Sequence, residues 1–303
     1  MFDAKLAPWA NEIPDGMFVS EGPSYPVGEF FHLYEEDTYL TETKGEMKYY
    51  FYDPMKHGFP IRDDYPLLLF LHGSGNALQG DICINYSGAE LYASPDYQED
   101  FGGAYILIPL ANEYRDEEGK TQGFWTEDYT DALYGLVNDF MARHTNGVGK
   151  KVVLGNSSGA TMAFCMVNHY TSFFQALVPV GSASIPDDET LNRYEENDVH
   201  LFYAIGKRDE FHSFRDEVAP RLPRLERMKH CFVYTPEWVR NEDGGIASIN
   251  VGIEMGQHCL VNPMHANLMF QDGTPMEERL PGGVTGWLRD LFVIKGKISD
   301  EGY

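Results

Sequence analysis

The sequence predicts an α/β fold, a mostly parallel central sheet with helices on both faces, entered through an irregular antiparallel extension at the amino terminus. Three observations predict it. From about Pro66 onward, short wholly apolar runs alternate with segments of helical period, as expected of strands buried on both faces between covering helices. The stretch before Gly45 is instead rich in Pro, Gly and acids, a composition of turns and short antiparallel pieces. The chain has 303 residues, 43% of them hydrophobic, enough for one large core.

Taken in order, strand-like pieces run from Glu29 to Tyr34 and from Met47 to Tyr52. Apolar runs follow at Leu67 to Leu71, Ala104 to Pro109, Val152 to Leu154, Ala176 to Val180, Leu201 to Ile205 and Cys231 to Tyr234. After Trp125, the residues Leu133, Leu136, Val137, Phe140 and Met141 repeat at helical spacing. Thr126 is placed as the cap, Glu127 and Asp128 in the first turn, and Gly147 and Gly149 at the stop. Polar connections at about 79–101, 111–125, 182–199 and 239–257 are expected as loops above one sheet edge, where specificity usually resides. Without a repeat, linker or low-complexity tract, a single domain over 1–303 is expected, with an extension at 1–46, a core at 47–293 and a tail at 294–303.

Charge and cysteine usage narrow the function. Lys and Arg number 23 against 47 Asp and Glu, a formal net charge of -24, which repels nucleic-acid phosphates and anionic membranes. No apolar run approaches the roughly 18 residues of a membrane helix. Met1 to Gly16 shows no basic or apolar region of a secretion signal, so a cytoplasmic protein is expected. Cys83, Cys165, Cys231 and Cys259 are scattered without C-x-x-C spacing, so reduced thiols are expected and neither a metal nor another cofactor.

The chemistry concentrates in a few segments. Lys151 to Phe164 reads KVVLGNSSGATMAF, an apolar strand, then G-x-S-x-G at Gly155 to Gly159, then a helix start. In that setting Ser157 sits on a strained strand-to-helix turn, where a side chain at either glycine would strike the neighbouring strand or helix. Upstream, Tyr65 to Gly75 reads YPLLLFLHGSG, an apolar strand running into His72-Gly73-Ser74-Gly75. Its glycines do not make G-x-G-x-x-G, and no Lys follows Gly80, so a nucleotide loop does not fit. An acyl-transfer site needs two backbone N–H groups for the developing oxyanion. Ser158 and Ser74 are assigned, with Gly75 as the alternative to Ser74. A serine nucleophile also needs a base and an orienting acid, which follow it in the order acid, then histidine. Asp209, in LFYAIGKRDEF, lies just past an apolar strand and a glycine; Glu210 and Asp216 are its alternatives. For the base, His212 is too near the acid and His230 abuts a strand. His258, in GIEMGQHCLVNP, has the right position, and His265 is the alternative.

These segments resemble the α/β-hydrolase superfamily, and within it serine esterases related to feruloyl and acetylxylan esterases, polyhydroxybutyrate depolymerases and the predicted-peptidase group. The resemblance covers roughly Met47 to Val293. At His258-Cys259 the chain is similar to fungal tannases, which also carry Cys directly before the serine; here that residue is Asn156, so their disulfide between the two loops is not implied. The resemblance implies a serine ester hydrolase with Ser157, His258 and Asp209 as its triad. Its implied partners are small-molecule or oligosaccharide esters, of neutral acetyl or cinnamoyl type; in the aromatic-rich loops Trp125, near Phe124 and Tyr129, is expected as a surface for stacking on a phenolic acyl group or a sugar ring. The same triad serves peptidases and thioesterases, and a non-catalytic binding protein on this fold is the remaining alternative.

Overall fold

The computed structural model describes residues 7–20, 22, 27–74, 84–85, 87–111, 114–115, 121–250 and 254–292. An eight-stranded sheet forms its centre. Its strands are β1 Glu35–Thr41, β2 Gly45–Tyr52, β3 Leu67–Leu71, β4 Tyr105–Pro109, β5 Lys151–Asn156, β6 Ala176–Val180, β7 His200–Ala204 and β8 Cys231–Tyr234. They lie in the order β1-β2-β4-β3-β5-β6-β7-β8. β1 and β2 form an antiparallel hairpin, β2 runs antiparallel to β4, and the remaining neighbours are parallel. The middle strands are apolar throughout because both faces are covered; Leu67 to Leu71 are each at most 1% exposed.

The principal helices are α1 Pro95–Phe101, α2 Thr130–His144, α3 Ser158–His169, α4 Asp188–Glu196, α5 Leu222–Leu225, α6 Val261–His265 and α7 Gly283–Phe292. The chain steps from β3 to β4 in one direction, then crosses back to β5 and continues to β8. Right-handed crossovers therefore put α1 on one face and α2, α3, α4 and α5 on the other. α7 joins α1, with Phe101 packed edge-on against Phe292 and Thr285 Oγ1 donating to Asp100 Oδ2 at 2.5 Å. α2 meets the end of α3 through the stacked rings of Tyr134 and of Tyr170, the residue that follows α3, 3.9 Å apart. No helix among the described residues is long and apolar enough to cross a membrane.

Three expectations needed correction. Glu29 to Tyr34 is a bend and a 3-10 turn, Phe31–Leu33, and the strand begins only at Glu35. The buried Glu90 carboxylate explains this, because it accepts the N–H groups of Gly28 (2.6 Å) and Phe30 (3.0 Å) and folds the segment around itself. The first strand, EEDTYLT, carries no apolar alternation because it is an edge strand with mostly solvated side chains. The polar connection at 182–199 likewise contains α4, capped by Asp187, whose carboxylate accepts from Thr190 N at 2.8 Å. Only Leu191 and Tyr194 of that helix are buried, too few to produce an apolar stripe. Thr126 stands at the expected start, but it precedes a 3-10 turn, Glu127–Tyr129, and its hydroxyl bonds Asp128 instead of capping the backbone.

The fold positions the site through the reversal at β3. One crossover leaves it towards β4 while β5 lies on its other side, which opens a crevice at the carboxyl ends of β3 and β5. The pairing of Leu71 with Gly155, and of Asn156 with Val180, sets these ends level.

Candidate active site

Ser157 follows β5 directly and precedes the first residue of α3. Its backbone is left-handed, φ 54 and ψ -116, a strained conformation for a residue with a Cβ and one that occurs at functional turns. The flanking glycines make the turn possible. A Cβ on Gly155 would lie 2.1 Å from the carbonyl oxygen of Gly159, and one on Gly159 would lie 2.1 Å from that of Leu71. Ser157 N donates to Val180 O at 2.8 Å, tying the turn to β6.

The three residues expected to act together are brought together. Ser157 Oγ lies 2.9 Å from His258 Nε2, and His258 Nδ1 lies 2.7 Å from Asp209 Oδ2. Because Asp209 can only accept when ionised, Nδ1 carries the imidazole proton and Nε2 is left to accept from the serine hydroxyl. Asp209 Oδ1 accepts the backbone N–H groups of Phe211 (2.9 Å) and His212 (3.0 Å), fixing the carboxylate in its turn after β7. His258 is 7% exposed. The Phe211 ring meets it edge-on at 4.7 Å and is itself 54% exposed, an apolar aromatic surface beside His258.

On the opposite side, Ser158 opens α3, so its N–H is among those a helix leaves without an internal acceptor. Ser74 is exposed at the end of the described loop after β3, and Gly75 lies outside the described residues. His72 holds this loop. It is fully buried, and burial draws its pKa down to about 4 against a weaker opposing bond to Gly73, so the ring is neutral. Ala111 N donates to its Nε2 at 3.0 Å, which leaves Nδ1 to donate to Gly73 O at 2.7 Å.

Trp125 belongs to the same support. Its side chain is 5% exposed, its indole N–H donates to His72 O at 3.0 Å, and its ring meets Tyr129 edge-on at 5.2 Å. The stacking surface expected of it is therefore taken up by the protein. The His72 carbonyl in this loop needs a hydrogen-bond donor, and the buried indole supplies it.

The alternatives for acid and base have other partners. Asp216 pairs with Arg215 and Ser213 on the surface. The Glu210 carboxylate accepts backbone N–H groups of the loop carrying His258. His265 ends α6 beneath the serine turn, where its Nε2 donates to Asn156 Oδ1 (3.1 Å) and its Nδ1 accepts from Tyr92 OH (3.1 Å). Asn156 Nδ2 in turn donates to Ser87 O at 3.1 Å. Burial draws the pKa of His265 down to about 3, so it is a neutral link in this row. Sequence reasoning missed this support because its members are scattered across the chain; the polar residue next to Ser157, Asn156, was the only local signal.

Two His and carboxylate groups among the described residues bring ligand atoms within 4.8 Å of one another, Asp209-His212-His258 and Asp198-His200-His230. In the first, Asp209 and His258 already bond each other. In the second, the His200 and His230 rings stack 4.1 Å apart at 16°, so their in-plane lone pairs run side by side and do not converge on one ion.

Fold and site together define a class: the chain has the α/β-hydrolase fold, with Ser157, His258 and Asp209 in hydrogen-bonded sequence at its crevice. No protein-family model matches the chain, and no curated protein matches its sequence. Among solved structures it is similar to a thermostable esterase, at 17% identity over 78% of this chain and 61% of that one, TM-score 0.57. The chain thus spans less than two thirds of that esterase's length. A ferric enterobactin esterase from Salmonella typhimurium shows 16% identity over 72% of this chain and 54% of that one, TM-score 0.48. A feruloyl esterase module from Clostridium thermocellum, complexed with sinapinate, shows 11% identity over 74% of this chain and 89% of that one, TM-score 0.46.

Proposed function

We propose that this chain is a serine carboxylic-ester hydrolase acting on neutral esters. The observation that carries the reading is the unbroken row from Ser157 Oγ through the His258 imidazole to Asp209, with the serine on a strained strand-to-helix turn. Ser157 Oγ attacks the ester carbonyl carbon while its proton passes to His258 Nε2. The C–O bond to the leaving group then breaks, and His258 returns the proton to the departing oxygen. Water repeats the cycle on the acyl-enzyme. Asp209 holds Nδ1–H and stabilises the imidazolium formed at each stage. The Ser158 N–H, with that of Ser74 or Gly75, binds the oxyanion.

A net charge of -24 disfavours anionic substrates. The exposed Phe211 ring beside His258 offers an aromatic wall, which favours an aromatic acyl group such as a cinnamoyl ester of a carbohydrate over a charged one. Wild type and Ser157→Ala are to be compared on p-nitrophenyl acetate, methyl ferulate, acetylated xylo-oligosaccharide and aminoacyl amides. Hydrolysis of the esters that vanishes with Ser157→Ala supports the reading, and preference for the amides would make the chain a peptidase. Hydrolysis undiminished in the alanine variant would sink it. Failure of a fluorophosphonate to label the wild type would favour a binding protein.

A further inference from the structure

Resting on the esterase reading, we infer that Glu210 is a positioning residue for His258, and that Trp9 from the amino-terminal segment completes its clamp. The carboxylate of Glu210 receives four N–H groups. Oε1 accepts from Gly256 N at 2.9 Å, Gln257 N at 3.1 Å and the Trp9 indole at 2.6 Å, and Oε2 accepts from His258 N at 2.6 Å. Three of these donors are consecutive main-chain groups, the last belonging to His258 itself. Its neighbour Asp209 holds the imidazole ring of the same residue. Two adjacent carboxylates therefore divide the task, one fixing the ring and the other the backbone from which the ring projects.

Such an arrangement matters because the base must meet Ser157 Oγ within a few tenths of an ångström, and a misplacement of about 1 Å can cost about a hundredfold in rate. Hydrogen bonds to an ionised acceptor are the stronger kind, and here they hold a loop end that belongs to no long helix or strand. Gln257 grips the other side of the same loop. It is fully buried, accepts Val239 N at 2.7 Å and donates to Val239 O and Ala247 O at 3.2 and 3.1 Å.

Trp9 reaches this position because the described part of the amino-terminal segment, residues 7–20, is tied down at several points. Its ring is 3% exposed and meets Trp238 edge-on at 5.9 Å. Arg208, which stands 4.2 Å above the Trp238 ring, pairs with Glu12 and Glu237. Ser20 N and Phe18 O exchange backbone bonds with Ile246 at 2.9 and 2.8 Å. The indole N–H thus arrives preset, and a segment remote in sequence becomes part of the base's support.

The test uses the full chain with E210Q and W9F. E210Q keeps the shape and one acceptor oxygen but turns an NH2 towards N–H donors; W9F keeps an aromatic ring and removes the donor together with part of the indole's buried volume. Expected are a fall in kcat of about tenfold for E210Q and about threefold for W9F, with KM within about twofold of wild type. The double variant should lose less than the product of the two single falls, because both changes act on one clamp. In a Ser157→Ala background, hydrogen exchange at the amides of Gly256, Gln257 and His258 should quicken about tenfold with E210Q. A kcat within twofold of wild type for E210Q, or a loss carried by KM, overturns the inference. If the wild type neither hydrolyses esters nor reacts with a fluorophosphonate, the esterase reading has failed instead. The exchange rates then decide the clamp alone, and unchanged exchange refutes it.

Discussion

Gly159→Ala is a demanding perturbation of the site geometry. The added carbon would stand 2.1 Å from the carbonyl oxygen of Leu71 and 2.5 Å from that of His72, whereas carbon and oxygen rest at about 3.3 Å or more. Both obstacles are backbone, so relief requires the start of α3 and the end of β3 to part by about 1 Å. Those two elements carry opposite halves of the proposed chemistry: α3 follows Ser157 and supplies the Ser158 N–H, and β3 leads into the His72 to Ser74 loop. Opening that gap separates Ser157 from one proposed oxyanion donor while leaving the His258 to Asp209 contact in place. A displacement of this size is worth about a hundredfold in kcat/KM. Overpacking of this kind also costs about 1–3 kcal/mol of stability, which lowers Tm by several degrees. The assay pairs hydrolysis of p-nitrophenyl acetate with a circular-dichroism melt. A folded variant within threefold of wild type in kcat/KM would refute the reasoning, since it would show that the strand and helix do not meet as tightly as the turn demands.

Asp209→Asn keeps an oxygen for the Phe211 and His212 amides but presents NH2 to His258 Nδ1, which forces the proton onto Nε2; kcat should fall by about 10⁴ with little change in Tm. Trp125→Phe removes the donor to the His72 carbonyl while keeping most of the ring, and should reduce kcat on any active ester more than it raises KM, the opposite of what loss of a substrate-stacking surface would give. Acid stability provides a third check. Burial holds His72 at about 4 and His265 at about 3, while an unfolded histidine takes its proton near 6.5. The unfolded chain therefore binds more protons below that point, and stability falls as pH drops from about 6.5 towards 4, by about 2 kcal/mol per histidine on reaching pH 5. Urea unfolding midpoints across this range should flatten with His265→Gln, and an unchanged slope would contradict the neutral buried assignment.

Much of this was legible in the residues alone, for a local reason. A buried parallel strand must be apolar on both faces, so LLLFL and ALVPV are visible without partners, and both appear at their expected bounds. The turn at Ser157 is equally local, because its glycines answer collisions with segments that the strand-turn-helix order already implies. Order along the chain then singled out Asp209 and His258. Edge strand β1 and surface helix α4 were not legible, since solvated side chains leave no periodic apolar signal.

The supports of the site were decided only by the tertiary structure. The indole of Trp9 and the carboxylate of Glu210 are 201 positions apart, and His265 lies 109 positions from Asn156. Trp125 turns inward to His72 instead of outward to a substrate. Composition cannot distinguish such roles, because an aromatic ring or a carboxylate serves equally well on the surface, against substrate or as an anchor. The choice depends on which unsatisfied backbone groups the folded chain brings within about 3 Å of it.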